Sequence, residues 1–230
     1  MNKALVIAGG RGNRFGAEIP KQFVEVNGKP IILYTLETLQ DSPDVDSISI
    51  VCVSGWESYV KSIAEKNHVS KMEKIITGGD TRFESVYNGM ISYQGGAQED
   101  DLILIHDAVR ACIDQDIIHD SFLQAERYGA ALAVAPCFDT MFVSMDGESI
   151  DSVYPREQLF KGQTPETVKF GIAIDVYRRA KKEKQYIDSP ASLLMKFNVK
   201  VGLSKGNQGN VKITTQDDIL LFQTVLSKRG

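Results

Sequence analysis

Short aliphatic runs alternate with longer stretches of helical period along most of this chain, and that alternation restricts its fold more than any other feature. The runs are "KALVIA" at 3–8, "SISIVCV" at 47–53, "KIIT" at 74–77, "DLILIH" at 101–106 and "AALAVAP" at 130–136. Near-continuous apolar character of this kind suits strands covered on both faces. Segments of helical period lie near 30–41, 56–66, 81–93 and 115–128, each long enough for a right-handed crossover. The pattern predicts an α/β fold, a Rossmann-like and mostly parallel sheet flanked by helices. Past Pro136 the rhythm changes, and 137–165 reads as two short strands around the turn signal "MDGE", an inserted β-arm. Helical character returns at 168–181 and 188–197, followed by a strand at 199–204 and a closing helix from about 215. With 230 residues, 43% of them hydrophobic, the expected organisation is a single domain over 1–230 with an excursion at about 137–160.

Charge and cysteine usage remove several function classes. A net charge of −4 argues against a nucleic-acid binder that relies on a broad basic field. No apolar run reaches the length of a membrane span, and the first residues lack a signal-peptide core, so the expected compartment is the cytoplasm. Cys52, Cys112 and Cys137 are far apart and form no CxxC, which supports neither a disulfide framework nor a zinc ribbon. Cys52 and Cys137 are expected as small core residues.

Open α/β sheets bind ligands beyond the carboxyl ends of their strands. The segments in that position are "AGGRGNR", "GGDTR", "HDAVR", "CFDT" and "KGNQGNVK", rich in Gly, Arg, Lys and Asp as a phosphate site requires. Glycines let backbone N–H groups approach an anion, and basic side chains neutralise it. The first loop is not a Walker A motif, because Gly28-Lys29 is followed by Pro30. Nor is it a dinucleotide fingerprint, because GxGxxG started at Gly10 meets Phe15. That failure, with no ribose-binding acid, argues against an NAD(P)-dependent oxidoreductase. Taken alone, Asp80 reads as a helix cap, Asp107 as a turn former, and Lys29 as a solvated charge.

The pattern AGGxGxRFG…PKQF, with "GGDTRFESV" (78–86), "HDAVR" (106–110), "DTM" (139–141), "GQTPE" (162–166) and "NVKITTQDD" (210–218) in order, resembles the polyol-phosphate cytidylyltransferases over nearly the whole chain. Their two familiar branches join CTP to 2-C-methyl-D-erythritol 4-phosphate or to ribitol 5-phosphate. The resemblance implies a nucleotidyltransferase-type fold and assigns roles by position. Arg14 and Lys21 become the catalytic cations on the triphosphate, with Lys212 facing the incoming phosphate. Ala8, Gly9, Gly10 and Gly12 become the phosphate cradle. Gly79, Asp80, Arg82 and Ser85 read the cytosine. Asp107 holds Mg²⁺ with the CTP phosphates, or substrate hydroxyls. Arg110 contacts the polyol phosphate or orders its loop, while His106 is structural. Thr140 and Arg156 on the arm, joined by Thr164, meet the acceptor phosphate across a two-fold homodimer with exchanged arms.

Departures from the methylerythritol branch bear on the acceptor. Gly209 stands where that branch carries an Asp before "NVK", and "IDSP" (187–190) keeps Asp188 but loses the flanking Thr and Glu. "PREQLFKGQTP" (155–165) resembles the ribitol-phosphate branch instead. The expected reaction is therefore formation of CDP-ribitol for teichoic acid or capsule synthesis, with methylerythritol phosphate in isoprenoid synthesis as the alternative. An inactive nucleotide-binding module is disfavoured, because Arg14, Lys21 and Lys212 are all present.

Overall fold

A computed structural model describes residues 1–10 and 19–228. Arg14 and Gly12, to which the sequence assigns roles, lie outside the described residues. The chain opens with β1 (Asn2–Ala8), then the two-residue strands β2 (Glu25–Val26) and β3 (Lys29–Pro30), helix α1 (Ile31–Gln40), β4 (Ser47–Cys52) and α2 (Glu57–Lys66). It continues through β5 (Met72–Thr77), α3 (Arg82–Ser92), β6 (Leu102–Asp107), α4 (Gln115–Tyr128) and β7 (Ala130–Pro136). A hairpin of β8 (Met141–Val143) and β9 (Ser152–Tyr154) forms the arm. The last part holds β10 (Phe160–Lys169), α5 (Phe170–Lys182), α6 (Pro190–Lys196), β11 (Gly202–Lys205) and α7 (Asp217–Ser227).

Seven strands form the main sheet in the order β11-β7-β10-β6-β1-β4-β5. β1 pairs in parallel with both β4 and β6, so the chain winds outward to β5 and then returns to the other side of β1. That reversal is the switch point at which such sheets open a crevice. Along β1 the period-2 alternation is fully used. Ala4, Val6 and Ala8 face the core under α1, α2 and α4, while Leu5 and Ile7 face the core under α3, α5 and α6. A smaller cluster seats α7 through Phe222 against Val26, Ile31 and Val109. Among the described residues no helix is long and apolar enough to cross a membrane.

β10 departs from expectation. The sequence assigns 160–165 to the arm and starts a helix at 168, whereas the structure runs a ten-residue strand antiparallel to both β6 and β7. Gly162 and Pro165 in its middle argue against a central strand. The structure accommodates them because the β7 ladder shifts register between Gly162 and Glu166. Thr164 is thereby placed inside the sheet and buried rather than on the arm. Cys137 is also displaced from its expected place: it is only partly buried, just beyond β7, with its Sγ on the Asp139 carbonyl at 3.6 Å.

Gly89 marks the tightest helix-to-sheet approach. A Cβ there would sit 2.6 Å and 2.8 Å from the two Leu5 methyls and 3.1 Å from Val51 Cγ2. Ala improves an exposed helix interior by about 1 kcal/mol over Gly, but overpacking a closed core costs about 1–3 kcal/mol. Gly89→Ala is therefore expected to lower unfolding free energy by about 1–2 kcal/mol in a urea titration, against the propensity trend.

Candidate active site

At the switch point a cleft of about 670 Å³ opens beyond the carboxyl ends of β1, β4, β5 and β6. Its walls include Ala8, Gly9, Gly10 and Lys21 from the first loop, and Gly79, Asp80, Arg82 and Ser85 from the start of α3. Asp107 and Lys212 complete it. The structure thus brings together the described residues expected around the nucleotide. It leaves Thr140 and Arg156 exposed on the arm side, outside this cleft, with Arg156 pairing its neighbour Glu157 at 3.6 Å. Lys29 is not a bare solvated charge: it pairs with Glu37 at 2.6 Å over the Tyr34 ring.

Close backbone approach shapes the floor. A Cβ on Gly9 would lie 2.9 Å from Ser85 Oγ, and one on Gly79 would lie 2.3 Å from Glu84 Cβ. Ser85 Oγ accepts from Gly79 N–H at 3.1 Å, so the two loops meet across that hydroxyl. The α3 N-terminus is capped by Thr81, not Asp80. Thr81 Oγ1 accepts from Glu84 N–H, and Glu84 returns a contact to the Thr81 N–H, a complete capping box. Asp80 is left exposed at the cleft. Sequence reasoning overlooked Gln22, which is 2% exposed and whose amide donates to the carbonyls of Ala8 at 2.7 Å and Gly10 at 3.0 Å. An amide between two strongly patterned neighbours in "PKQF" was the available signal.

Asp107 is the electrostatic centre. As the last residue of β6 it is buried, and its Oδ1 accepts from Arg82 Nη2 at 3.1 Å and Nε at 3.3 Å. Its Oδ2 meets Lys212 Nζ at 2.7 Å. Burial pushes the carboxyl upward, but Arg82 and Lys212 outweigh it and hold Asp107 well below the usual carboxylate range. Arg82 is shared with buried Glu166, whose Oε1 lies 3.1 Å away, and also donates to the Asp188 carbonyl. Glu166 Oε2 accepts from Ala191 N–H at 2.7 Å and Ser189 Oγ at 3.1 Å, which fastens the start of α6 to the same group. Burial raises the Glu166 carboxyl despite Arg82. Most of the Arg82 donors are thus spent inside the protein, so Arg82 acts as a brace for Asp107 more than as an open hand toward a ligand.

The remaining cations rest on one stretch of chain. Lys21 Nζ donates to the Ile213 carbonyl at 2.9 Å, and Arg110 Nη1 donates to the Asn210 carbonyl at 2.8 Å. Arg110 and Thr164 sit behind the cleft wall. The Thr164 hydroxyl accepts from Asp107 N–H at 3.2 Å and faces His106 Nδ1 at 3.0 Å, while His106 Nε2 faces the Arg110 carbonyl at 3.2 Å. With the imidazole neutral, these contacts close with Thr164 O–H donating to Nδ1 and Nε2–H donating to the Arg110 carbonyl. Burial pushes His106 down to about 4, in accord with that tautomer.

The donor set can be tested against Mg²⁺. Among the described residues no group of three His, Cys, Asp or Glu side chains is arranged for a metal ion, and both Asp107 oxygens are already held by cations. Mg²⁺ takes few protein carboxylates but needs an oxygen to face it. With Arg82 on Oδ1 and Lys212 on Oδ2, Asp107 offers Mg²⁺ no open oxygen in this arrangement.

A reversed α/β sheet with a glycine-floored, cation-lined cleft at its switch point defines a nucleotide-binding enzyme of the nucleotidyltransferase class. Comparison with known proteins gives the family. The model of the IspD family, 2-C-methyl-D-erythritol 4-phosphate cytidylyltransferase, matches residues 3–228. A protein of that name from Clostridium botulinum (strain Eklund 17B / Type B) is 35% identical over 99% of this chain and 100% of its own. A ribitol-5-phosphate cytidylyltransferase from Lacticaseibacillus paracasei is 32% identical over 100% and 99%, respectively. Another from Vibrio parahaemolyticus is 33% identical over 98% and 96%. The crystal structure of a 4-diphosphocytidyl-2C-methyl-D-erythritol synthase superposes with a TM-score of 0.79 at 26% identity, covering 98% of both chains. The synthase of Anaerococcus prevotii, 24% identical, shares the fold at a TM-score of 0.86 over 98% of this chain and 96% of its own. This chain belongs to the IspD family and is a cytidylyltransferase, with CTP as its nucleotide.

His106 gives the site a pH signature. A histidine depressed from 6.5 to about 4 binds its proton only in the unfolded chain between those values, so stability is full above pH 6.5 and falls as pH drops toward 4. The predicted loss across that window is on the order of 3 kcal/mol. Denaturant titrations at pH 7 and pH 4 should show it in the wild type, with a smaller slope in His106→Gln.

Proposed function

We propose that this enzyme transfers the cytidylyl group of CTP to ribitol 5-phosphate, forming CDP-ribitol and pyrophosphate. An oxygen of the acceptor phosphate attacks the α-phosphorus. The new P–O bond forms as the bond to the β-phosphate oxygen breaks, and pyrophosphate leaves with that electron pair. Both reactants are anions, so the protein's task is alignment and charge neutralisation. The observation that carries the reading is the convergence of Lys21 and Lys212 on one cleft, each held by an oxygen of the protein, the Ile213 carbonyl and Asp107 respectively. Each ammonium can exchange that oxygen for a phosphate oxygen while keeping its own charge.

In this reading Lys21, with Arg14, neutralises the α-phosphoryl group, and the backbone of Gly9 and Gly10 cradles the phosphates. The Gly79–Ser85 segment meets the cytosine. Lys212 leaves Asp107 for the acceptor phosphate, and Arg110 supports it from behind. Thr140 and Arg156 reach the acceptor from the arm of a second copy. The exposed apolar faces of Phe138, Phe142 and Val153 support burial of that arm in a homodimer. Mg²⁺ is expected on the CTP phosphates. A cytoplasmic location follows from substrates of this kind.

Ribitol 5-phosphate is favoured by "PREQLFKGQTP", by Gly209 and "IDSP", and by full-length relatives named for that acceptor. Transfer to 2-C-methyl-D-erythritol 4-phosphate is the second reading, favoured by the family model and by further relatives. Pyrophosphate release should be measured with CTP, Mg²⁺ and each acceptor in turn. A kcat/KM at least about 10-fold higher with ribitol 5-phosphate is expected, equivalent to about 1.4 kcal/mol of transition-state discrimination; the reverse preference overturns the assignment. Lys212→Met should lower kcat by about 100-fold or more in the same assay.

A further inference from the structure

Asn210 is completely buried, yet no substrate-facing role falls to it. Its side chain enters the break in the β10 ladder, where Gln163, Thr164 and Pro165 lie between the paired residues Gly162 and Glu166. There the Asn210 amide nitrogen donates to the Thr164 carbonyl at 2.8 Å and to Gln163 Oε1 at 3.3 Å. Its own Oδ1 makes no hydrogen bond among the described residues. The side chain is thus engaged as a donor, supplying what the broken ladder withholds from Thr164.

Asn210 also fixes the chain that follows β11. Gly206 N–H donates to the Val134 carbonyl at 2.9 Å, and Ile213 N–H donates to the Val109 carbonyl at 2.9 Å. Gly206 cannot be larger, because a Cβ would lie 2.6 Å from Gln163 Oε1 and 2.8 Å from the Val134 carbonyl oxygen. Between these ends, the Asn207 carbonyl accepts from Gln163 Nε2 at 2.8 Å, and Asn207 Oδ1 accepts from Asn210 N–H at 2.8 Å. The strap from 206 to 213 is tied to β10 through Asn210 and Gln163, while Asn207 Nδ2 donates to Asp114 Oδ2 and Gln208 Nε2 to the Pro136 carbonyl, each at 2.9 Å. Lys212 lies on this strap, Lys21 reaches its Ile213 carbonyl, and Arg110 reaches its Asn210 carbonyl. Three cations of the site thus meet on this one strap, and Lys212 is the one carried by it.

We propose that Asn210 is a positioning residue for cytidylyl transfer: by closing the gap in β10 it sets the height of the strap, and with it the Lys212 ammonium over Asp107. This rests on the reading of Lys212 as the cation for the incoming phosphate. Replacing Asn210 by Ala removes both donors and leaves the Thr164 carbonyl unpartnered, so the strap loses its side-chain tie at 210, next to Lys212, while its ends, the ties at 207 and 208 and the sheet ladders remain.

The test is kinetic and uses the full chain. Asn210→Ala should still unfold cooperatively, and at a temperature well below its Tm its kcat should fall about 30-fold or more with the KM for CTP changed less than about 5-fold. Gln163→Ala, which keeps the Thr164 contact, should show a smaller loss of the same kind. On a Lys212→Met background, Asn210→Ala should cost less than about 3-fold in single-turnover rate, because the group it positions is gone. An unchanged kcat in folded Asn210→Ala, or an equal loss on both backgrounds, overturns the proposal. Undiminished turnover in Lys212→Met alone contradicts the Lys212 reading instead.

Discussion

The buried Asp107 carboxylate is the constraint around which this active site is organised. A charge taken out of water at the end of a central strand is tolerated only with close opposite charge and hydrogen bonds. Arg82 and Lys212 supply the charge, and Thr164 accepts the Asp107 backbone N–H. Each partner belongs to a different part of the chain: α3, the strap after β11, and β10. Ionisation of one carboxylate thus fastens three segments that meet nowhere in sequence. Glu166 extends the same logic by taking a share of Arg82 and holding the start of α6. Losing Arg82 would leave both Asp107 and Glu166 buried and short of their shared cation, so these three behave as a unit.

The proposed function rests on how unequally the cations are held. Arg82 is locked between two carboxylates and a backbone carbonyl, whereas Lys212 is 41% exposed and has Asp107 as its carboxylate partner. An incoming phosphate competes on favourable terms for the ammonium and poorly for the guanidinium. Lys and Arg serve here in the ways their shapes allow, one as a mobile point charge and the other as a planar brace. The neutral His106 lies behind them as part of the scaffold, with both ring nitrogens engaged.

Much of this was legible in the sequence where the pattern is local. Strands β1, β4, β6 and β7 fall where aliphatic runs place them, and the cleft collects Gly9, Gly79, Ser85, Asp107 and Lys212 because each lies at the carboxyl end of a strand or in the segment after it. What escaped was non-local. β10 contains Gly162, Pro165 and several polar residues, and it is a strand only because β6, β7 and Asn210 together satisfy its backbone. The donors of Arg82 are consumed by Glu166 and the Asp188 carbonyl, 84 and 106 residues away, and no spacing rule reaches that far. Gln22 and Asn210 were missed because a buried amide has no periodicity, only partners. Arg14 and Gly12 remain assigned from the motif alone.

A crystal structure with a non-hydrolysable CTP analogue and ribitol 5-phosphate tests the central claim most directly. The account predicts the cytosine against Gly79–Ser85, the α-phosphate beside Lys21, and Lys212 Nζ within hydrogen-bond distance of the acceptor phosphate, while Arg82 stays on Asp107 and Glu166. A nucleotide bound elsewhere, or an acceptor phosphate seated away from a Lys212 still paired to Asp107, would contradict it.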